Sequence, residues 1–332
     1  MVYDCFPFFN ELDILELRLH ILDAIVDKFV LVEATKTHSN KPKPLYFQEN
    51  KHRYARFLDK IIHIVIDDYP PFVNAWTYEN HQRNGIERGL KDCLPTDLIL
   101  ISDCDEIPNP EQLAGCRNTL QMRWMECLQF NYYLNYFCAT DPFWVGTRVF
   151  PYSAMFGKTA QEMRRVPVTH KIPFGGWHFS YMGGLEKLIE KTEAYAHQEH
   201  NLEKNKNRVQ LAQKVAQGKD IYGKSHRFKP VIIDANFPDY LQKHQVAYAH
   251  LLWQEKATYT ITTLLSRFER KNTLKRLLGW PYILAFWNII LFKQYNRRDF
   301  LKKILPKSLS FLLEKESRKL ERGYLNSEDH PT

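Results

Sequence analysis

Short apolar runs alternate with amphipathic segments through the first hundred residues. Val2 to Phe9 is mostly apolar and aromatic and predicts a strand. Asn10-Glu11-Leu12-Asp13 reads as a helix start, with Asn10 as N-cap and an acidic first turn. Leu12, Leu15, Leu19, Leu22 and Val26 follow at helical spacing. Phe29-Val30-Leu31-Val32 predicts a buried strand ending at Glu33, with a polar loop from Thr35 to Pro42 after it. Ile61 to Ile66 predicts another strand, closed by Asp67-Asp68, and Trp76 to Lys91 a helix. Leu98-Ile99-Leu100-Ile101 predicts a third buried strand, which runs straight into Asp103.

Apolar strands separated by helices indicate an α/β fold: a Rossmann-like, mostly parallel sheet flanked by helices. Ligands of such sheets bind beyond the carboxyl ends of the strands, where Glu33, Asp67, Asp68 and Asp103 fall. The pattern changes after Asp105. Met122 to Phe137 predicts one or two aromatic strands, and Asp141-Pro142-Phe143-Trp144 a loop. A glycine-rich stretch runs from Pro173 to Gly184, and helices resume near Leu185. The division expected is a catalytic domain over 1–250 and a basic, aromatic-rich helical extension over 251–332.

Three constellations carry candidate chemistry. Asp103-Cys104-Asp105 is an Asp-x-Asp at the end of an apolar strand. Two carboxylates there can hold a hard divalent cation, which neutralises a diphosphate and makes it a better leaving group. The same triplet also arises as a solvated turn. In the glycine-rich stretch, four glycines bracket Trp177 and His178. Small residues let a ligand approach, Trp177 offers a stacking face, and His178 a metal ligand or phosphate donor; a tight hairpin around a buried Trp is the plainer reading. Glu79 and Arg83, four apart on a predicted helix, are a surface ion pair in one reading. In the other, Arg83 faces a diphosphate at the strand ends.

In this order, the motifs resemble those of the family 17 glycosyltransferases. The resemblance runs through Phe9 to Leu15, Val26 to Glu33, Lys43 to Phe47, Tyr69-Pro70-Pro71, Trp76 with Arg83, Asp103 to Pro108, and Gly176-Trp177-His178. It implies an inverting enzyme of the GT-A type that makes a β-1,4 linkage from UDP-N-acetylglucosamine. It also implies a divalent cation, Mn2+ or Mg2+, on Asp103 and Asp105. Glu33 is then expected in the nucleotide half of the site and His178 beside the diphosphate, with Arg83 and Trp177 on the donor. An inverting displacement needs a carboxylate base, and Glu186, then Glu106, are the candidates. The acceptor expected is a glycan or lipid-linked saccharide.

Charge changes the picture of the tail. The formal net charge is +8, and residues 266–332 carry all of it, 15 Lys and Arg against 7 Asp and Glu. The body is therefore balanced, which excludes a nucleic-acid-binding surface spread over the fold. Leu277 to Phe292 is an apolar stretch broken by Gly279, Pro281 and Asn288, with Lys and Arg on both sides. It suits a helix lying on an anionic membrane surface, or a hairpin packed on the domain. The six cysteines contain no Cys-x-x-Cys pair, so they read as reduced thiols rather than a zinc site. Met1 to Cys5 shows no signal-peptide pattern, and the location expected is cytoplasmic, peripheral on the inner membrane face. Two other functions remain open on the residues alone. One is a phosphohydrolase with Asp103 as nucleophile and Asp105 as acid/base; the other is a non-catalytic, membrane-associated glycan-binding protein.

Overall fold

The computed structural model describes residues 1–273 apart from 118, 168 and 169. The parallel half of the sheet is built first. It comprises β1 (Val2–Phe8), α1 (Leu12–Leu22), β2 (Lys28–Ala34), α2 (Tyr46–Glu49), β3 (Ile61–Ile66), α3 (Ala75–Asn84) and β4 (Leu98–Ile101). β1 lies between β2 and β4 and β3 lies outside β2, all parallel. Period-two alternation gives each central strand two apolar faces. Val2, Phe6, Phe8, Phe29, Leu31, Leu98 and Leu100 pack under Leu15, Leu19 and Leu22 of α1. Tyr3, Cys5, Val30, Val32, Ile99 and Ile101 pack on the opposite side. Burial on both faces explains why these strands are apolar throughout.

The second half is β5 (Glu106–Pro108), α4 (Pro110–Ala114), β6 (Arg123–Asn131), β7 (Tyr136–Cys138), β8 (Phe143–Pro151), α5 (Ala160–Arg165), β9 (Lys171–Ser180), α6 (Gly184–Ala194), α7 (Arg208–Ala216), β10 (Phe228–Pro230) and α8 (Asp239–Lys243). The long path of the sheet runs β10-β7-β6-β8-β4-β1-β2-β3, and β9 joins β5 to β6. The ladders β4–β8, β6–β8, β6–β7, β7–β10 and β5–β9 are antiparallel, and β6–β9 is parallel. The sheet is thus mixed, parallel through its first four strands and largely antiparallel beyond them, with helices flanking it.

Three local expectations differ from the structure. Asn10 does not cap α1: Glu11 holds that place, and its carboxylate turns back to accept the Phe9 and Asn10 backbone N–H groups at 3.2 and 3.0 Å. Trp144 lies in β8, not in a loop. The glycine pair Gly175-Gly176 serves packing of strand on strand. A Cβ at Gly176 would come within 2.2 Å of the Ile107 carbonyl oxygen, so only glycine lets β9 press against β5.

Met1–Leu265 form one compact unit, which ends before Ser266. The boundary expected at residue 250 falls inside this unit, because Leu251, Ile261 and Leu264 are buried in its aromatic core with Phe130, Phe179 and Phe237. The membrane-surface expectation for 277–292 lies outside the described residues. Among the described residues no helix is long and apolar enough to cross a membrane. All six cysteines are free, five of them buried.

Candidate functional site

Because β1 to β4 are parallel, the loops after them converge at one end of the sheet. A cavity of about 340 Å3 opens there, lined by Phe8, Glu11, Lys36, His38, Asp103 and Asp105 from the strand ends. The other walls come from α3, β6, β9, α6 and the turn around Asp220.

The loop after β4 is held from behind by Arg18, which is fully buried on the apolar face of α1. Its Nε and Nη2 donate to the two oxygens of Asp4 at 2.7 and 2.5 Å, and Nη2 also donates to Ser102 Oγ at 2.6 Å. Nη1 donates to the carbonyls of Asp103, Cys104 and Glu106 at 3.1, 3.1 and 2.7 Å. One guanidinium thereby fixes the backbone of the Asp-Cys-Asp-Glu segment, and its planar fork is suited to several acceptors at once.

The three carboxylates leave this segment in different directions. Asp103 accepts from Arg83 at 2.7 Å and Arg164 at 3.2 Å. Burial raises its pKa, but Arg83 and Arg164 outweigh burial and hold the carboxyl well below the usual carboxylate range. Asp105 accepts from Lys191 of α6 at 2.9 Å and faces His178 Nε2 at 3.6 Å. Burial again pushes upward, Lys191 and His178 pull down harder, and the net direction is down. Glu106 is completely buried. Its oxygens accept from Arg164 at 2.5 Å, Trp144 Nε1 at 2.7 Å, the Asp103 N–H at 3.2 Å and Thr147 at 3.4 Å. A Cβ on Gly146 would strike Glu106 Oε1 at 2.0 Å, so glycine makes room for the carboxylate.

The sign of these shifts gives a pH prediction. A depressed folded pKa contributes stability that is complete above the unfolded value, about 3.9 for Asp, and is lost as pH falls through the lower folded value. Thermal melts between pH 7 and 3 should show Asp105→Asn losing less stability than wild type below about pH 4. Equal acid sensitivity of the two proteins would contradict this.

The cavity brings together Arg83, Asp103, Asp105 and His178, four of the residues singled out in the sequence. Arg83 is not a surface pair with Glu79: it is 5% exposed and bridges Glu79, Gln161 and Asp103. His178 stacks on Trp144 with 4.7 Å between ring centroids. Glu33, Trp177, Glu106 and Glu186 do not line the cavity. Glu33 is fully buried, accepting from the Phe47 N–H at 2.9 Å, with His63 at 3.2 Å and Lys43 at 3.9 Å. It fastens the loop that carries Lys43, and Lys43 is the residue that reaches the cavity. Trp177 offers no stacking face, because it lies in the aromatic core and donates Nε1 to the Asn236 carbonyl at 2.8 Å. Glu106 is a positioning group, walled in by four donors. Glu186, the first base candidate, is 69% exposed in the first turn of α6 and pairs with Arg208 at 2.7 Å. Glu186→Gln should leave kcat and KM within about twofold of wild type, as an exposed pair does little; a large loss of kcat would return Glu186 to the reaction. Asp67 and Asp68 also lie outside the cavity, and Asp68 pairs with Arg88.

Sequence reasoning missed Arg18, Arg164, Lys191 and Trp144. Arg18 had a signal, being three residues after Leu15 and four before Leu22 on the apolar face of a predicted helix. Arg164 had a weaker one: Thr159 and Glu162 form a capping box that announces its helix. Lys191 had none, as one of two lysines on a charged helix.

The human and rat enzymes named β-1,4-mannosyl-glycoprotein 4-β-N-acetylglucosaminyltransferase are each 32% identical over 108 residues, 30% of this chain. The matched stretch spans 20% of those relatives' length. Among solved structures, HddC from Yersinia pseudotuberculosis overlaps loosely, at TM-score 0.29 and 9% identity over 55% of this chain and 89% of that one. The family model for glycosyltransferase family 17 matches residues 1–257, a span that takes in β1 through the Asp-x-Asp loop, α6 and the Asp220 turn. The chain belongs to glycosyltransferase family 17.

Proposed function

We propose that this glycosyltransferase moves N-acetylglucosamine from UDP-N-acetylglucosamine to a saccharide hydroxyl, with inversion and in β-1,4 linkage, on a GT-A-type fold. The acceptor is a glycan or a lipid-linked saccharide. The observation that carries the reading is the pairing of Asp103 and Asp105 on the wall of a cavity at the strand ends, with Lys36, Lys43, Arg83 and Lys191 around it. A diphosphate brings two to three negative charges, and these four cations suit it. The human and rat relatives, whose names state this donor sugar and linkage, support the choice.

The residues fit a divalent cation. Among the described residues Asp105 Oδ1 accepts no hydrogen bond, and neither ring nitrogen of His178 makes one: Nδ1 has no partner and Nε2 stops 3.6 Å from that oxygen. Carboxylate oxygen with imidazole nitrogen suits Mn2+ and, less well, Mg2+. Asp105 and His178 would hold the ion, which when bound neutralises charge on the departing diphosphate, while both oxygens of Asp103 accept from Arg83 and Arg164. Lys191 keeps Asp105 compensated without it. Arg83 and Arg164 do the same for Asp103 and leave it a poor nucleophile, which speaks against the phosphohydrolase reading.

UDP release with UDP-N-acetylglucosamine, UDP-glucose, UDP-galactose and GDP-mannose, using 4-nitrophenyl β-mannoside as acceptor and Mn2+ or EDTA, tests the proposal. UDP-N-acetylglucosamine should turn over fastest and only with the cation. Faster turnover of another donor, or full turnover in EDTA, would overturn it. The peripheral placement at a cytoplasmic membrane face rests on the composition of 266–332. Pelleting with phosphatidylglycerol vesicles, lost on deletion of 266–332, is the result it requires.

A further inference from the structure

Neither Glu186 nor Glu106 offers the cavity a free carboxylate, yet an inverting displacement needs a base. Five carboxylates line the cavity: Glu11, Glu79, Asp103, Asp105 and Asp220. Four of them face a lysine or arginine. Asp103 is held by Arg83 and Arg164, Asp105 by Lys191, and Glu79 by Arg83 at 3.3 Å. Glu11 lies 3.8 Å from Lys191. A carboxylate beside a fixed cation gives up basicity.

Asp220 is different. Its side chain is 7% exposed, and Oδ1 accepts from the Tyr222 and Lys224 N–H groups, both at 2.9 Å. No group among the described residues donates a hydrogen bond to Oδ2. Among the described residues the basic side chain nearest to it is His226, whose Nδ1 lies 3.9 Å away and whose other ring nitrogen is 3.4 Å from Asp141. Among the described residues Asp220 has no ion pair with lysine or arginine. The turn that presents it is rigid. Gly218 is left-handed at φ +63 and a Cβ there would strike the Phe228 carbonyl oxygen at 2.2 Å. Lys219 and Arg227 form an antiparallel bridge, and the Ile221 N–H donates to the buried Tyr132 hydroxyl at 3.2 Å. Helix α6 ties this turn to the Asp-x-Asp loop: Lys191 binds Asp105, and the next residue, Thr192, meets the Tyr222 hydroxyl at 2.8 Å.

We infer that Asp220 is the catalytic base that activates the acceptor hydroxyl in this cavity, an inference that rests on the transferase reading above. The step balances within the complex. The hydroxyl proton goes to Asp220 Oδ2 as the hydroxyl oxygen bonds to the anomeric carbon. The bond from that carbon to the diphosphate breaks, and its electron pair leaves with UDP. The proton is then lost to water.

The test uses the full chain with UDP-N-acetylglucosamine and Mn2+, measuring donor affinity by calorimetry and UDP release with water or 4-nitrophenyl β-mannoside as acceptor. Asp220→Asn should lower kcat by about a hundredfold to a thousandfold while donor Kd stays within about twofold. Asp220→Glu should keep a measurable part of kcat, and formate should restore turnover to Asp220→Ala. Three outcomes overturn the assignment: turnover of Asp220→Asn within about threefold of wild type, a donor Kd that weakens in step with kcat, or no rescue by formate in a folded Asp220→Ala. If wild type binds no UDP-N-acetylglucosamine, the donor reading fails first and takes this assignment with it.

Discussion

Asp105→Asn should lower kcat for sugar transfer by about a thousandfold, because loss of a cation that neutralises the leaving diphosphate removes several kcal/mol of transition-state stabilisation. The substitution keeps the shape of the side chain and removes its charge. Lys191 then loses its 2.9 Å partner, and Glu11, 3.8 Å away, takes up part of the compensation. Folding should survive: Lys191 is 21% exposed, and a partly solvated ammonium costs less to leave unpaired than a buried one. The contrast to measure is a large fall in kcat beside a small change in melting temperature. If kcat falls less than about tenfold, Asp105 is not where charge develops in the transition state.

Arg18→Met should destabilise the domain by about 3–5 kcal/mol, the usual cost of removing one partner from a buried ion pair. Methionine fills much of the volume, so a cavity is not the main loss. Asp4, which is 0% exposed, keeps its charge with no guanidinium to meet it, and three loop carbonyls lose their donor. For a domain of this size the melting temperature should fall by about 10 °C. The double variant Arg18→Met with Asp4→Leu should regain much of that stability, because two buried charges disappear together. Its activity should stay low, since the carbonyls of Asp103, Cys104 and Glu106 remain unheld. Full recovery of activity in the double variant would show that the loop keeps its shape without Arg18.

How much of this was legible in the sequence depends on the range of the interactions. The first four strands were readable because burial on both faces makes them apolar throughout, as in Val30 and Leu31 or Ile99 and Leu100. Once they are parallel, topology brings Asp103, Asp105 and Arg83 to one end of the sheet. The glycine-rich stretch was ambiguous because glycine serves close approach of any kind, and at Gly176 the neighbour is a strand. Trp177 and His178 are adjacent and face opposite sides of β9, so the strand's period of two sends one to the core and the other to the cavity. Glu186 was misleading because a sequence does not give the rotation of a helix. On α6 the inward positions are Lys191 and Thr192, and Glu186 points to Arg208. Arg164 and Lys191 meet their carboxylates across 61 and 86 residues, a partnership set by tertiary packing alone.

The central claim is that the Asp-x-Asp loop holds a cation and a nucleotide-sugar diphosphate together. Calorimetric titration of UDP-N-acetylglucosamine into the full chain tests it directly. The account predicts binding in Mn2+ that is abolished by EDTA and weakened by Asp105→Asn. Equal affinity in EDTA, or unchanged affinity in Asp105→Asn, would contradict it.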